Sequence, residues 1–270
     1  MKNIYGVYFS PTGTTKKIVT TITQTLSEKL QLSPKYKSFT LPGERSTALT
    51  FDKEDVVVFG MPVYAGRVPS LLLKFLATVE GCGALAIPVV LYGNRNYDDA
   101  LVELRDILEK AGMHTVAAGA FIGEHSFSRT LGANRPDAED LAKAISFAMD
   151  AAQKIADETY TTPVAVKGEV PYRPYYVPKM ADGSKKNIIT VYPKVNSDKC
   201  IKCGLCVKLC PLGTILPEDV STYSGKCIKC CACVKGCPQE ARYFDDEVYL
   251  YHKKNLEESF VRRAEPEVFL

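Results

Sequence analysis

Nine of the ten cysteines of this chain fall between Cys200 and Cys237, and they form an internal repeat. Cys200-Ile-Lys-Cys203-Gly-Leu-Cys206-Val-Lys-Leu-Cys210-Pro211 returns 27 positions later as Cys227-Ile-Lys-Cys230-Cys231-Ala-Cys233-Val-Lys-Gly-Cys237-Pro238. In a reducing compartment such a cluster signals metal ligation before disulfides. Each copy has the spacing C-x2-C-x2-C-x3-C-P, in which three thiolates wrap one [4Fe-4S] cubane and the fourth reaches the other. Two clusters are expected: Cys200, Cys203, Cys206 and Cys237 on one, Cys227, Cys230, Cys233 and Cys210 on the other. Each repeat then completes its partner's site, so neither is expected to fold well alone.

Zinc is the alternative, since paired C-x2-C motifs also build tetrahedral sites. A third cysteine at the same spacing, the x3-C-Pro ending and the duplication have no use in a four-ligand site. Over about 60 residues the segment resembles the two-cluster bacterial ferredoxins, including Thr214-Ile215 and Ala241 after the prolines, where that family has small then apolar residues. Cys231 stands where the first repeat has Gly204. As a ligand it would break the spacing, so it reads as a free thiol or turn residue beside a cluster.

The first 160 residues have a different pattern. Short β-branched runs alternate with stretches of helical period, the signature of a parallel sheet covered on both faces. Strands are expected at Ile4 to Phe9, Val56 to Met61, Leu85 to Tyr92 and Thr115 to Ile122, with a weaker one near Lys35 to Phe39. Helices are expected at Thr14 to Leu30, Pro69 to Val79, Asp98 to Ala111 and Asp137 to Glu158, the last capped by Asp137. The fold class is therefore α/β: a doubly wound, five-stranded parallel sheet over residues 1–160, joined to a small α+β unit at 186–248. Between them, 161–185 is a linker rich in proline and tyrosine; its tyrosines favour a segment laid against a surface, a solvated spacer being the alternative. The tail, 249–270, carries a helix-like Asn255 to Arg263 and either docks on a domain or is disordered.

The first strand runs into Ser10-Pro11-Thr12-Gly13-Thr14-Thr15 and then a helix, gathering hydroxyls and free N–H groups where a phosphate dianion is favoured. Neither a P-loop nor a Rossmann glycine turn is present. The loop resembles the flavodoxin fingerprint for the FMN phosphate, and that resemblance covers residues 1 to about 155. It implies FMN, a flavodoxin-like sheet, and Ser10, Thr12, Gly13, Thr14 and Thr15 around the phosphate. At the switch point of such a sheet the flavin ring belongs among Pro62, Val63, Tyr64, Ala65, Gly66, Gly93, Asn94, Arg95, Asn96 and Tyr97. With no tryptophan in the chain, stacking falls to Tyr64 or Tyr97. Arg67 is a candidate to favour an anionic reduced ring and His125 a candidate proton donor. His114 and His252 read as structural or exposed, and Cys82 as an inert buried thiol.

The whole architecture is similar to the flavodoxin/ferredoxin fusion proteins of anaerobic microbes. That similarity implies an electron-transfer protein interconverting one- and two-electron steps between two [4Fe-4S] clusters and FMN. The alternative is an FMN-dependent reductase of a small organic molecule fed by reduced ferredoxin; a third reading, a redox or iron sensor, lacks a binding module. A ferredoxin-type or other redox partner is expected. The formal charge of +3 comes wholly from residues 185–270, with 14 Lys+Arg against 11 Asp+Glu, too little for a nucleic-acid face. Lys199, Lys202, Lys208, Lys226, Lys229 and Lys235 read as compensation for cluster charge, or as a docking face for an acidic partner. With no bilayer-length apolar run and no secretory leader pattern at Met1, no membrane association and a cytoplasmic location are expected.

Overall fold

A computed structural model describes residues 1–270. Elements follow in chain order as β1 (Asn3–Tyr8), α1 (Thr14–Leu30), β2 (Pro34–Ser38), β3 (Asp55–Pro62), α2 (Leu73–Leu76), β4 (Leu85–Tyr92), α3 (Ala100–Lys110), β5 (His114–Thr115), β6 (Ala118–Ile122) and α4 (Ala138–Ala156). The cysteine-rich half adds β7 (Lys194–Val195), α5 (Leu205–Leu209), α6 (Ala232–Lys235), β8 (Arg242–Tyr243), α7 (Glu247–Ser259) and β9 (Glu267–Phe269).

The main sheet has the order β2-β1-β3-β4-β6-β9, and β5 also pairs β4. All its pairs are parallel except β6 with β9. The order 2-1-3-4-5, with β5 and β6 as two pieces of one fifth strand, is that of the flavodoxin-like doubly wound sheet. Period-two alternation divides its central strand between two cores: Val57, Phe59 and Met61 pack on one face, Val56 and Val58 on the other. One face is covered by α1 and α4 through Ile18, Val19, Ile22 and Phe147, the other by α2 and α3 through Leu76, Leu101 and Leu104. Gly60 is what lets α1 approach so closely, because a Cβ there would lie 2.2 Å from Val19 Cγ2. At the start of α4, Asp137 accepts from the N–H groups of Glu139 and Asp140 while Asp140 accepts from Asp137, a reciprocal capping box.

Two sequence expectations change, and the alternatives left open for the tail are decided. The helix expected from Pro69 shrinks to a 3-10 turn and the single turn of α2. Cys82 is exposed, held at φ 45° in the turn before β4. The tail docks: its helix is Glu247–Ser259, and β9 adds an antiparallel sixth strand to the parallel sheet.

The segment after α4 is a strap along the sheet edge. Val164 is buried, Tyr172 donates to Asp106 at 2.6 Å, Tyr175 to the Val68 carbonyl at 2.8 Å, and the Tyr176 N–H to the Ala65 carbonyl at 2.9 Å. Arg173 pairs with buried Asp99, whose carboxyl is held well below the usual carboxylate range mainly by that guanidinium. The tail is fastened by buried Asn94, whose amide donates to the carbonyls of Phe260 and Arg262 at 2.7 Å each and accepts from the Ala264 N–H at 3.1 Å. Truncating it removes three hydrogen bonds that hold the tail, one of them to buried Ala264. Asn94→Ala should therefore cost about 2–4 kcal/mol in urea unfolding; a loss below about 0.5 kcal/mol would contradict its anchoring role.

Candidate functional site

Beyond the carboxyl ends of β1, β3, β4 and β6 lie two cavities, and two smaller ones lie in the cysteine repeat. The first is polar, of about 270 Å³, at the start of α1. Gly13 at φ 88° is the residue before α1 and supplies no side-chain cap of its own, and the space a Gly13 Cβ would occupy is open. Thr12, Gly13 and Thr14 line this cavity with Lys17, Arg135, Lys235 and the Glu124 carboxylate. Ser10 and Thr15 do not reach it. The Ser10 hydroxyl accepts from the Lys16 N–H at 2.9 Å, and Thr15 is buried beneath Gly60. The remaining free N–H groups of the first turn and the Lys17 charge favour an anion there, while Lys235 is paired with Glu124 and Arg135 with Asp140.

The second cavity, about 410 Å³, is walled by loops of the sheet and by segments from the C-terminal half. Val63 to Gly66 come from the loop after β3, Gly93, Arg95 and Asn96 from the loop after β4, and His125 to Phe127 from the loop after β6. The strap contributes Tyr175 and Tyr176, α7 contributes His252, and the second cysteine repeat contributes Lys226 to Lys229. The chain turns at Ala65 and Gly66 with positive φ, and a Cβ on Gly66 would strike the Asp98 carboxylate at 2.4 Å. Gly93 likewise makes room for the His125 ring, 2.3 Å from the Cβ it lacks.

Several sequence candidates are absent from these walls. Pro62 stays in β3, Asn94 faces the tail, and Tyr97 is buried against Tyr92 with its hydroxyl donating to Glu267 at 2.9 Å. Arg67 is engaged elsewhere: its fork is bidentate to Glu103 at 2.7 Å, it donates to the Arg173 carbonyl, and its plane lies against the rings of Tyr172 and Tyr175. It fixes the strap and lines neither cavity. Tyr64, Ala65, Gly66, Gly93, Arg95, Asn96 and His125 do come together.

Sequence reasoning missed Tyr176 and His252. His252 is buried, with its ring stacked on Tyr176 at 5.6 Å. The tyrosine spacing of the linker hinted at Tyr176; nothing in the sequence pointed to His252. It also missed Lys235 at the polar cavity, where its ammonium donates to Glu124 and to the His125 carbonyl at 2.7 Å.

His125 accepts at Nδ1 from the Phe127 N–H at 3.1 Å, which leaves the proton on Nε2. Burial, with the His252, Lys235 and Arg95 charges adding, pushes its pKa down to about 3, so it is a neutral hydrogen-bond donor at pH 7. His252 is pushed down to about 4 by burial and Arg95.

In the cysteine-rich half the two repeats share backbone as well as spacing. Lys202 and Lys229 both have φ 54°, and Gly204 at 71° matches Cys231 at 59°. One small cavity is lined by Cys200, Cys203, Cys206 and Cys237. Another is lined by Cys210, Cys227, Cys230 and Cys233, with Cys231 on its wall. Each takes three cysteines from one repeat and the fourth from the other. No three His, Cys, Asp or Glu side chains converge on a point for a single metal ion. A cubane spreads its thiolates over separate irons, so the arrangement fits such a cluster. The Cys231 thiol lies 3.6 Å from the Tyr249 hydroxyl, and burial pushes its pKa up to about 12. Cys227 lines the wall of both its own cavity and the large one.

Residues 193–216 match the family described as a 4Fe-4S binding domain. No curated protein matches the chain. Among solved structures, a flavodoxin from the domain Archaea is 19% identical, with TM-score 0.40 over 58% of this chain and 99% of its own. A Fusobacterium nucleatum flavodoxin bound to flavin mononucleotide is 20% identical, with TM-score 0.39 over 58% and 99%. An apo NADH:FMN oxidoreductase is 18% identical, with TM-score 0.42 over 57% and 89%. No helix is long and apolar enough to cross a membrane.

Since the unfolded histidines titrate near 6.5 and the folded ones near 3 and 4, their contribution is present above pH 6.5 and lost as pH falls below it. The urea midpoint should drop between pH 7.5 and 5.5, and drop less in a His125→Phe, His252→Phe double variant; equal drops would contradict the burial of these rings. By strand order and by the matched segment, the chain joins a flavodoxin-like doubly wound domain to a ferredoxin-type 4Fe-4S domain.

Proposed function

We propose that this chain is a redox flavoprotein passing electrons between two [4Fe-4S] clusters and FMN, interconverting one- and two-electron steps. The clusters would supply single electrons, and the flavin chemistry that accepts one or two. The observation that carries the reading is the position of Cys227, one of the four cysteines around its own cavity and also part of the wall of the large one. Cys227 and Ile228 form a wall common to the two spaces.

The other residues have matching roles. Thr12, Gly13 and Thr14 offer the start of α1 to a phosphate, and Lys17 supplies positive charge. Tyr64 and Tyr176 provide aromatic surface, and Ala65 and Gly66 backbone groups, for a flat ring. Neutral His125 donates from Nε2. Cys200, Cys203, Cys206 and Cys237 would hold the outer cluster, since Cys203 is exposed; Cys210, Cys227, Cys230 and Cys233 would hold the inner one, since Cys230 and Cys233 are buried. Ferredoxin-type partners would then dock at the outer repeat, where Lys199, Lys202 and Lys208 are exposed.

A second reading is reduction of a small organic molecule in the same cavity. The roof formed by the strap, α7 and Lys226 to Lys229 favours it, because such a cover excludes water from part of the space.

Protein purified without oxygen should hold about eight irons and one FMN per chain. Cys203→Ala and Cys227→Ala should each keep FMN and lose the flavin bleaching driven by a reduced ferredoxin donor. Bleaching at the native rate in either variant would contradict the proposal, as would a colourless or zinc-loaded protein.

A further inference from the structure

The two cysteine repeats differ at one buried position. Twenty-seven residues separate equivalent positions, so Arg242 is the counterpart of Ile215. Both are buried, at 3% and 2% exposed. Where the first repeat packs an aliphatic side chain, the second buries a guanidinium, which is costly unless its charge is compensated.

Its surroundings contain no carboxylate partner. Nη1 donates to the Val220 carbonyl at 2.8 Å and lies 3.5 Å from Cys206 Sγ; Nη2 donates to the Tyr223 hydroxyl. Buried Nε has no partner. Tyr223, which takes the Nη2 donation, lines the cavity of Cys210, Cys227, Cys230 and Cys233. Arg242 also lines the cavity of Cys200, Cys203, Cys206 and Cys237. A side chain with five donors and a fixed charge thus stands between both sets, and the negative groups available to balance it are thiolates.

We propose that Arg242 is a positioning residue shared by the two cluster sites, whose buried charge and N–H···S contact raise the reduction potential of both. The inference rests on the two-cluster reading above. One-electron reduction by an external reductant such as dithionite adds one negative charge to a cluster, and no bond is made or broken. A fixed positive charge in a site of low dielectric favours the reduced form, and hydrogen bonds to cluster sulfurs act in the same direction. Because the charge stands between the sets, it acts on both clusters, whereas Ile215 can act on neither.

The test is a potentiometric titration of the anaerobically purified full chain, followed by electron paramagnetic resonance. Arg242→Ile, which installs the residue of the first repeat, should retain about eight irons while both cluster midpoints fall by about 59 mV or more, a tenfold change in each reduction constant. Arg242→Lys keeps the charge without the planar fork and should fall less. Iron-loaded Arg242→Ile with unchanged midpoints would overturn the assignment, and a shift confined to one cluster would overturn the shared position. Should Arg242→Ile fail to hold iron, Arg242→Gln, which keeps donors and loses the charge, is measured against the same two outcomes. A native protein without iron would instead remove the cluster reading itself.

Discussion

Cys227 is the point at which the two halves of this protein become one device. A thiol that lines its own cysteine cavity and the large cavity at the sheet edge requires the second repeat to sit directly over the loops after β3 and β6. Much of the remaining structure serves that contact. Lys235 of α6 reaches Glu124 and the His125 carbonyl, fixing the repeat to the loop after β6. Behind it, Cys231, Phe244 and Tyr249 form a small apolar cluster packed against Phe127, with the rings of Phe244 and Tyr249 3.9 Å apart. On the other flank, the strap brings Tyr175 and Tyr176 to the cavity and is clamped by Arg67 and Arg173.

The tail explains why this arrangement is not left to a flexible tether. A linker of ordinary flexibility gives an effective concentration of roughly millimolar order, which allows encounter without fixing geometry. Here the chain returns through α7 and ends as β9 on the flavodoxin-like sheet, so the cysteine-rich half is held at both ends. Asn94 supports this by fastening the return, and so a position resembling a flavin contact in the sequence has a structural duty.

The fold was legible because its signals are local. Alternation in Val56 to Met61, the glycine-containing loop before α1 and the Asp137 cap are each decided within a few residues. The cysteine spacing was legible for the same reason, since three of the four cysteines lining each small cavity are near neighbours in the chain. What the sequence did not reveal is what depends on contacts between distant segments. Arg67, Asn94 and Tyr97 lie in the expected loops, yet each is claimed by a partner far along the chain: Glu103, the carbonyls of Phe260 and Arg262, and Glu267. Conversely, Tyr176, His252 and Lys235 reach the cavities only because the strap, α7 and α6 fold back over the sheet. No periodicity marks such residues, and β9 is too short for its alternation to stand out.

Diffraction at the iron absorption edge from crystals grown without oxygen tests the central claim most directly. It should show two four-iron centres, one ringed by Cys210, Cys227, Cys230 and Cys233, with a flavin ring in the large cavity in contact with Cys227. A flavin elsewhere on the molecule, or a protein layer between that ring and the nearer iron centre, would contradict the account.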